Sequence, residues 1–199
     1  MAKVTRSNPK AFETLIARVN ELDNKQSKAG WFESSVYPDG TPVAYVAAIQ
    51  EYGAHIDHPG GTPYKIGADG RAVFVTKSQG EGLPVTKPHA IVIPPRPFMR
   101  PTVDREKKNW LEIMRNGAKA ILNGLSNGQT VMDALGQKAS ADIARSITLV
   151  QSPPLKAATI AARRRKKSDK VTVGLLTKPL IDSGKMYEEV TYVVEDNNE

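Results

Sequence analysis

The sequence predicts an α+β domain: one small, mostly antiparallel sheet packed with a helical hairpin and an N-terminal helix, plus an inserted β-hairpin arm. Three observations carry that prediction. Apolar residues recur at helical spacing in three long stretches, 9–23, 104–122 and 130–149. Short β-prone runs lie between Gly/Pro turn clusters. No internal repeat or heptad run points to a solenoid or coiled coil. With 199 residues, 40% hydrophobic and 25% charged, the chain holds enough apolar material for one domain with an insertion.

The elements follow in order. Asn8 or Ser7 can cap a helix over 9–23, with Pro9 in its first turn. Phe12, Leu15, Ile16, Val19 and Leu22 form its apolar face. Lys25 to Gly30 is polar and reads as a break. Gly30 to Tyr37 reads as a strand stopped by Pro38-Asp39-Gly40. Thr41-Pro42 opens a nearly all-apolar helix, Val43 to Tyr52, closed by Gly53. Such a helix is expected to be buried.

From Ala54 the periodicity stops. Pro63 to Ile66 and Arg71 to Lys77 flank Gly67-Ala68-Asp69-Gly70, the pattern of a β-hairpin, and Ser78 to Pro88 reads as a flexible return. Residues 55–88 are therefore expected to form the arm. His89 to Ile93 reads as a short buried strand, ended by Pro94-Pro95-Arg96-Pro97. The helices over 104–122 and 130–149, with so short a connection, should pack antiparallel. Pro153-Pro154 precedes a short basic helix from Leu155 to Lys167. A turn at 179–184, a helical turn at 186–189, a strand at 190–194 and a frayed acidic tail complete the chain.

Chemistry is sparse. There is no cysteine, so disulfides, cysteine-ligated zinc and a thiol nucleophile are excluded. The usual serine-hydrolase elbow, the Walker loop and the dinucleotide fingerprint are missing. His55, Asp57 and His58, with His89 elsewhere, have metal-ligand chemistry but stand in a Gly/Pro-rich stretch read as a surface loop. The expectation is no enzyme, no metal and no cofactor. Neither a signal-peptide run nor a membrane-spanning stretch is present, so a soluble protein made inside the cell is expected, without a membrane partner.

The net charge of +7 is local. Residues 151–180 hold Lys156, Arg163, Arg164, Arg165, Lys166, Lys167, Lys170 and Lys178 against Asp169 alone, and the rest of the chain is neutral. The reading is a flexible basic segment at about 161–178, either simply solvated or contacting DNA phosphates or an acidic partner. The contact candidates are Arg163, Arg164, Arg165, Lys166, Lys167 and Lys170. No interleaved aromatics are present to stack bases, so any DNA contact is expected to be electrostatic and sequence-independent.

Four segments stand in a telling order: Ala44 to Gly53 (AYVAAIQEYG), Ile93 to Pro101 (IPPRPFMRP), Ser152 to Leu155 with Thr159-Ile160, and Lys178 to Met186 (KPLIDSGKM). This order resembles the tail-completion and head–tail joining (neck) morphogenesis proteins of long-tailed bacteriophages and prophages. It covers about residues 40–53 and 89–194. The resemblance implies a structural virion protein, assembled in the host cytoplasm. It would form a homo-oligomeric ring, plausibly a hexamer, between the connector or portal side and the tail-terminator or tail-tube proteins, near packaged DNA. The expected interface residues are Tyr64 and Phe74 of the hairpin, Arg96, Pro97, Phe98 and Arg100 of the junction, and Met186; Arg96 is expected to pair with a carboxylate such as Glu51. The alternative function is a non-specific double-stranded DNA-binding module.

Overall fold

A computed structural model describes residues 9–68, 70, 72–166 and 176–197. It is α+β, with helices and small antiparallel sheets. The chain runs α1 (Pro9–Asp23), β1 (Lys25–Gly30), α2 (Val43–Tyr52), β2 (Ala54–His58), β3 (Tyr64–Ile66), β4 (Ala72–Phe74), β5 (His89–Ile93), α3 (Met99–Leu122), α4 (Gly128–Leu149), α5 (Ala157–Lys166), α6 (Lys185–Glu188) and β6 (Thr191–Asp196). The strands are divided into three two-stranded antiparallel ladders, β1–β6, β2–β5 and β3–β4.

The body is a helical hairpin, α3 and α4, whose α4 lies on the β1–β6 ladder. Asn127 caps α4 by accepting a hydrogen bond from the Thr130 amide at 2.8 Å. Inside the hairpin, the Trp110 indole N–H donates to Asp142 at 2.9 Å, and Lys138 pairs with the same carboxylate. Gly136 brings α4 close to the ladder. A Cβ there would lie 2.3 Å from the Tyr192 ring and 2.4 Å from Ser27 Oγ, so no other residue fits without displacement. The main core gathers Val43 and Ala47 of α2, Phe98, Ile143 and Ile147 of the hairpin, and Leu180, Ile181 and Met186 near the end of the chain. Trp31 meets Phe98 edge to face, with centroids 5.8 Å apart.

Several expectations change. The strand expected over 30–37 is instead Lys25–Gly30, the stretch read as a polar break. Its partner is the end of the chain, in register from Lys25↔Asp196 to Gly30↔Thr191. Charge pairing identifies it better than hydrophobicity does: Lys25 meets Asp196 at 2.9 Å and Lys28 meets Glu195. Glu195 and Asp196 are thus strand residues, not a frayed tail. Residues 31–37 hold a turn at 33–34 and an isolated bridge from Val36 to Pro42 in place of a strand, and Trp31 lies against the core and donates to the Met186 carbonyl at 2.9 Å. Helix α3 begins at Met99, earlier than the expected residue 104, for a reason given below.

Helix α1 follows its predicted span, but its apolar face is only partly covered. It packs on α3 and α4, and Glu21 accepts from the Gly128 amide at 3.2 Å, while Phe12 and Val19 stay largely exposed. Helix α2 is buried on one side only, through Val43, Ala47 and Glu51; Ala44, Tyr45, Ala48 and Tyr52 face outward.

Candidate functional site

Two neighbouring features dominate: a tightly bonded junction and the arm that springs from it.

The junction is organised by Glu51, the single acidic residue of α2. Phe98, at the N-cap position of α3, has no side chain able to accept a bond, and Pro97 precedes it. The first amides of α3 need an outside acceptor. Glu51 supplies it. One carboxylate oxygen accepts from the amides of Phe98 (2.7 Å) and Met99 (2.9 Å). The other accepts from the amide of Arg100 (3.2 Å) and from its Nε (2.9 Å). Burial pushes this carboxyl up, but the three amides and the Arg100 guanidinium together hold it below the ordinary carboxylate range. The negative charge also meets the positive end of the α3 dipole.

This corrects the expected Arg96–Glu51 pair: the partner of Glu51 is Arg100. Arg96 is buried within the chain, and its Nε donates to the Pro153 carbonyl at 2.9 Å. Its amide donates to the Gln50 carbonyl at 2.7 Å. Desolvation, and then the nearby Arg163 guanidinium, lower its affinity for a proton. Phe98 and Met186, expected at an interface, are enclosed in the core of this chain, with 0% and 4% exposure. Neither is presented on the surface. Pro97 and Arg100 are exposed, and the Arg100 guanidinium lies 4.9 Å from the centre of the Tyr52 ring.

The arm leaves the body at Gly53. That glycine has φ +76°, and a Cβ on it would lie 2.8 Å from the Ile93 carbonyl oxygen and 3.0 Å from Pro95. The two roots of the arm therefore touch. The arm is longer than the expected 55–88, since β2 and β5 pair from Ala54↔Ile93 to His58↔His89. Beyond them, the return expected to be flexible is bonded to the outgoing chain: the Gly61 amide to the Thr86 carbonyl, the Thr86 amide to the Thr62 carbonyl, and the Tyr64 amide to the Pro84 carbonyl. The β3–β4 hairpin stands at the far end, where Tyr64 meets Phe74 edge to face.

His89–Ile93 is not the buried strand that its apolar run suggests. Four of its five residues are exposed: it pairs with β2, and no described helix packs closely on it. His55, Asp57 and His58 lie on β2 rather than in a loop. His55 and Asp57 approach to 3.4 Å in the open, and His58 faces His89 with ring centroids 5.0 Å apart. Among the described residues, no three His, Asp or Glu side chains gather as a metal site.

The basic segment divides. Arg163 is turned inward: it donates to the carbonyls of Lys178 (2.7 Å) and Ile181 (2.8 Å) and pairs with Asp182 at 3.2 Å. It ties α5 to the 176–182 stretch and is not a free cation for DNA. Arg164 is exposed. The side chains of Arg165 and Lys166, and all of Lys167 and Lys170, lie outside the described residues. No described helix is long and apolar enough to cross a membrane.

Sequence reasoning missed the role of Glu51. The available signal was a lone carboxylate in an otherwise apolar helix, together with a helix start that lacked its own cap. No protein-family model matches the chain, and neither does any curated protein or solved structure.

Proposed function

We propose that the chain is a structural subunit that forms a ring in the neck of a long-tailed phage, completing the tail and joining it to the DNA-filled head. The observation that carries the reading is the arm: a ladder rooted in a rigid junction, with Ile66 61%, Phe74 63% and Val92 67% exposed. Large apolar residues are also exposed on the body, Leu111 and Leu125 among them, but on the narrow arm they have little chain of their own to cover them, which favours a surface that meets another protein. An isolated two-stranded ribbon also gains little stability by itself.

A second support comes from the segments that carry the family resemblance. They are far apart in the chain and meet in space. Glu51 of the first bonds the amides of the second, and Leu180 and Met186 of the last share a core with Phe98. The motif order thus corresponds to one structural unit from which the arm projects. Tyr64, Phe74, Pro97 and Arg100 are the proposed interface residues; six copies follow from the resemblance.

Light scattering on the purified protein, with negative-stain images of the same sample, tests the reading. A closed ring is the expected result. A monomer at every concentration, both alone and with purified tail tubes added, overturns it. Tight, strongly salt-dependent duplex binding by such a monomer would favour the DNA-binding alternative.

A further inference from the structure

Two histidines face each other across the arm, and the backbone around them fixes opposite tautomers. His58 and His89 are cross-strand partners at the outer end of the β2–β5 ladder, with ring centroids 5.0 Å apart. The Gly60 amide donates to His58 Nδ1 at 3.0 Å. An amide can only donate, so this nitrogen is bare and the proton of neutral His58 sits on Nε2. His89 Nδ1 lies 2.8 Å from the Lys87 carbonyl oxygen. A carbonyl can only accept, so His89 carries its proton on Nδ1 and leaves Nε2 bare. The two rings therefore respond differently to acid. His89 gains a second proton on Nε2 and keeps its bond. His58 gains one only on Nδ1, and the Gly60 amide then loses its acceptor.

At Gly60 the two sides of the arm touch. A Cβ there would lie 2.5 Å from the Thr86 carbonyl oxygen and 2.7 Å from the Lys87 carbonyl carbon. The next amide, that of Gly61, donates to the same Thr86 oxygen. The His58–Gly60 bond thus stands at the joint between the β2–β5 ladder and the β3–β4 hairpin beyond it. The charged neighbours do not offset a proton on His58. His89, when protonated, stands opposite it, and like charges on facing strand positions repel. From the far side, Lys77 lines the same hollow of about 380 Å³ as His58. Asp57, next to it on β2, pairs with His55 at 3.4 Å. We propose that the histidine pair is an acid-opened joint: a proton on His58 frees the Gly60 amide and turns a stiff connection between ladder and hairpin into a hinge. Histidine is the side chain whose charge changes between about pH 5 and 8, the range in which such a device works. The inference stands on the arm alone and does not depend on the ring reading.

Amide exchange followed by NMR on the whole chain, corrected for the intrinsic pH dependence of exchange, tests the joint. Between about pH 7.5 and about pH 5.5, protection at Gly60 and Gly61 should fall by about five-fold or more. Protection at Gly53 and Arg96, whose amides are bonded at the root of the arm, should not change. Equal protection of Gly60 at the two pH values overturns the proposal, and so does a fall of the same size at Gly53 and Arg96, which would mean general loosening. His58→Asn supplies a second measure. Asparagine accepts from an amide two residues on and does not titrate, so Gly60 should stay protected in acid. An acid-induced loss that persists in His58→Asn overturns the assignment to His58. The ring nitrogens give a third: at about pH 7.5, nitrogen shifts should show Nδ1 bare in His58 and protonated in His89, and the reverse pattern overturns the device.

Discussion

At the junction, a buried carboxylate holds three backbone amides and a guanidinium, and Phe98 beside it is fully enclosed. A few residues along the chain, the arm has bonded backbones but bare side chains: Phe74, Ile66 and Val92 all face outward. Both regions are rich in apolar residues. They differ in whether the chain itself covers what it exposes. The junction is complete within one copy. The arm bonds its two strands to each other and leaves much of its apolar surface bare. Backbone pairing and apolar burial are separate properties, and here they part at Gly53.

Substitutions can break this contrast, and the largest effects belong to the junction. Phe98→Ala should lose about 3–5 kcal/mol, since it empties the centre of the core; urea unfolding measures it. Glu51→Ala should cost about 3 kcal/mol by the same measurement, because it strands three helix-start amides. Its pH signature is specific. The folded Glu51 carboxyl is held below its ordinary value of 4.5, so its contribution is full above that pH and is lost as pH falls through the lower folded value. Stability measured from pH 7 down to pH 3 should therefore drop less steeply in Glu51→Gln than in the parent chain, and equal slopes would count against the Glu51 account.

Next come the two adjacent arginines of α5. Arg163→Ala should cost about 2 kcal/mol through its lost carbonyl and Asp182 bonds. Arg164→Ala, at an exposed position, should stay within about 0.5 kcal/mol. Equal losses would erase the distinction between an inward and an outward arginine. The smallest effect on the monomer is expected at the arm: Phe74→Ser should change melting stability by no more than about 0.5 kcal/mol, while reducing self-association in sedimentation runs.

Much of this was legible in the residues, and the failures have physical causes. The α3–α4 hairpin and α2 were visible because a repeating apolar pattern encodes helices directly. Strand β1 was not, because its signal is charge facing charge: Lys25 and Lys28 find Asp196 and Glu195 at the opposite end of the chain. Glu51 was singled out, but with the wrong partner, since its main donors are backbone amides, which no side-chain pattern announces. His89–Ile93 is the most instructive case. An apolar run says that a segment is suited to burial, and nothing about whether the covering surface is in the same molecule. Arg163 and Arg164 look alike in sequence; the helix turn alone sends one inward and the other out.

The contact between the two roots of the arm has a practical consequence. Ala54 and Ile93 are cross-strand partners, and the Gln50 carbonyl already holds the Arg96 amide just inside them. For the body, everything beyond that point is a loop whose ends coincide. The arm is thus an exchangeable cassette: a short two-residue turn, or a hairpin with a different tip, could be spliced between Gly53 and Pro94 without asking α2 or α3 to move.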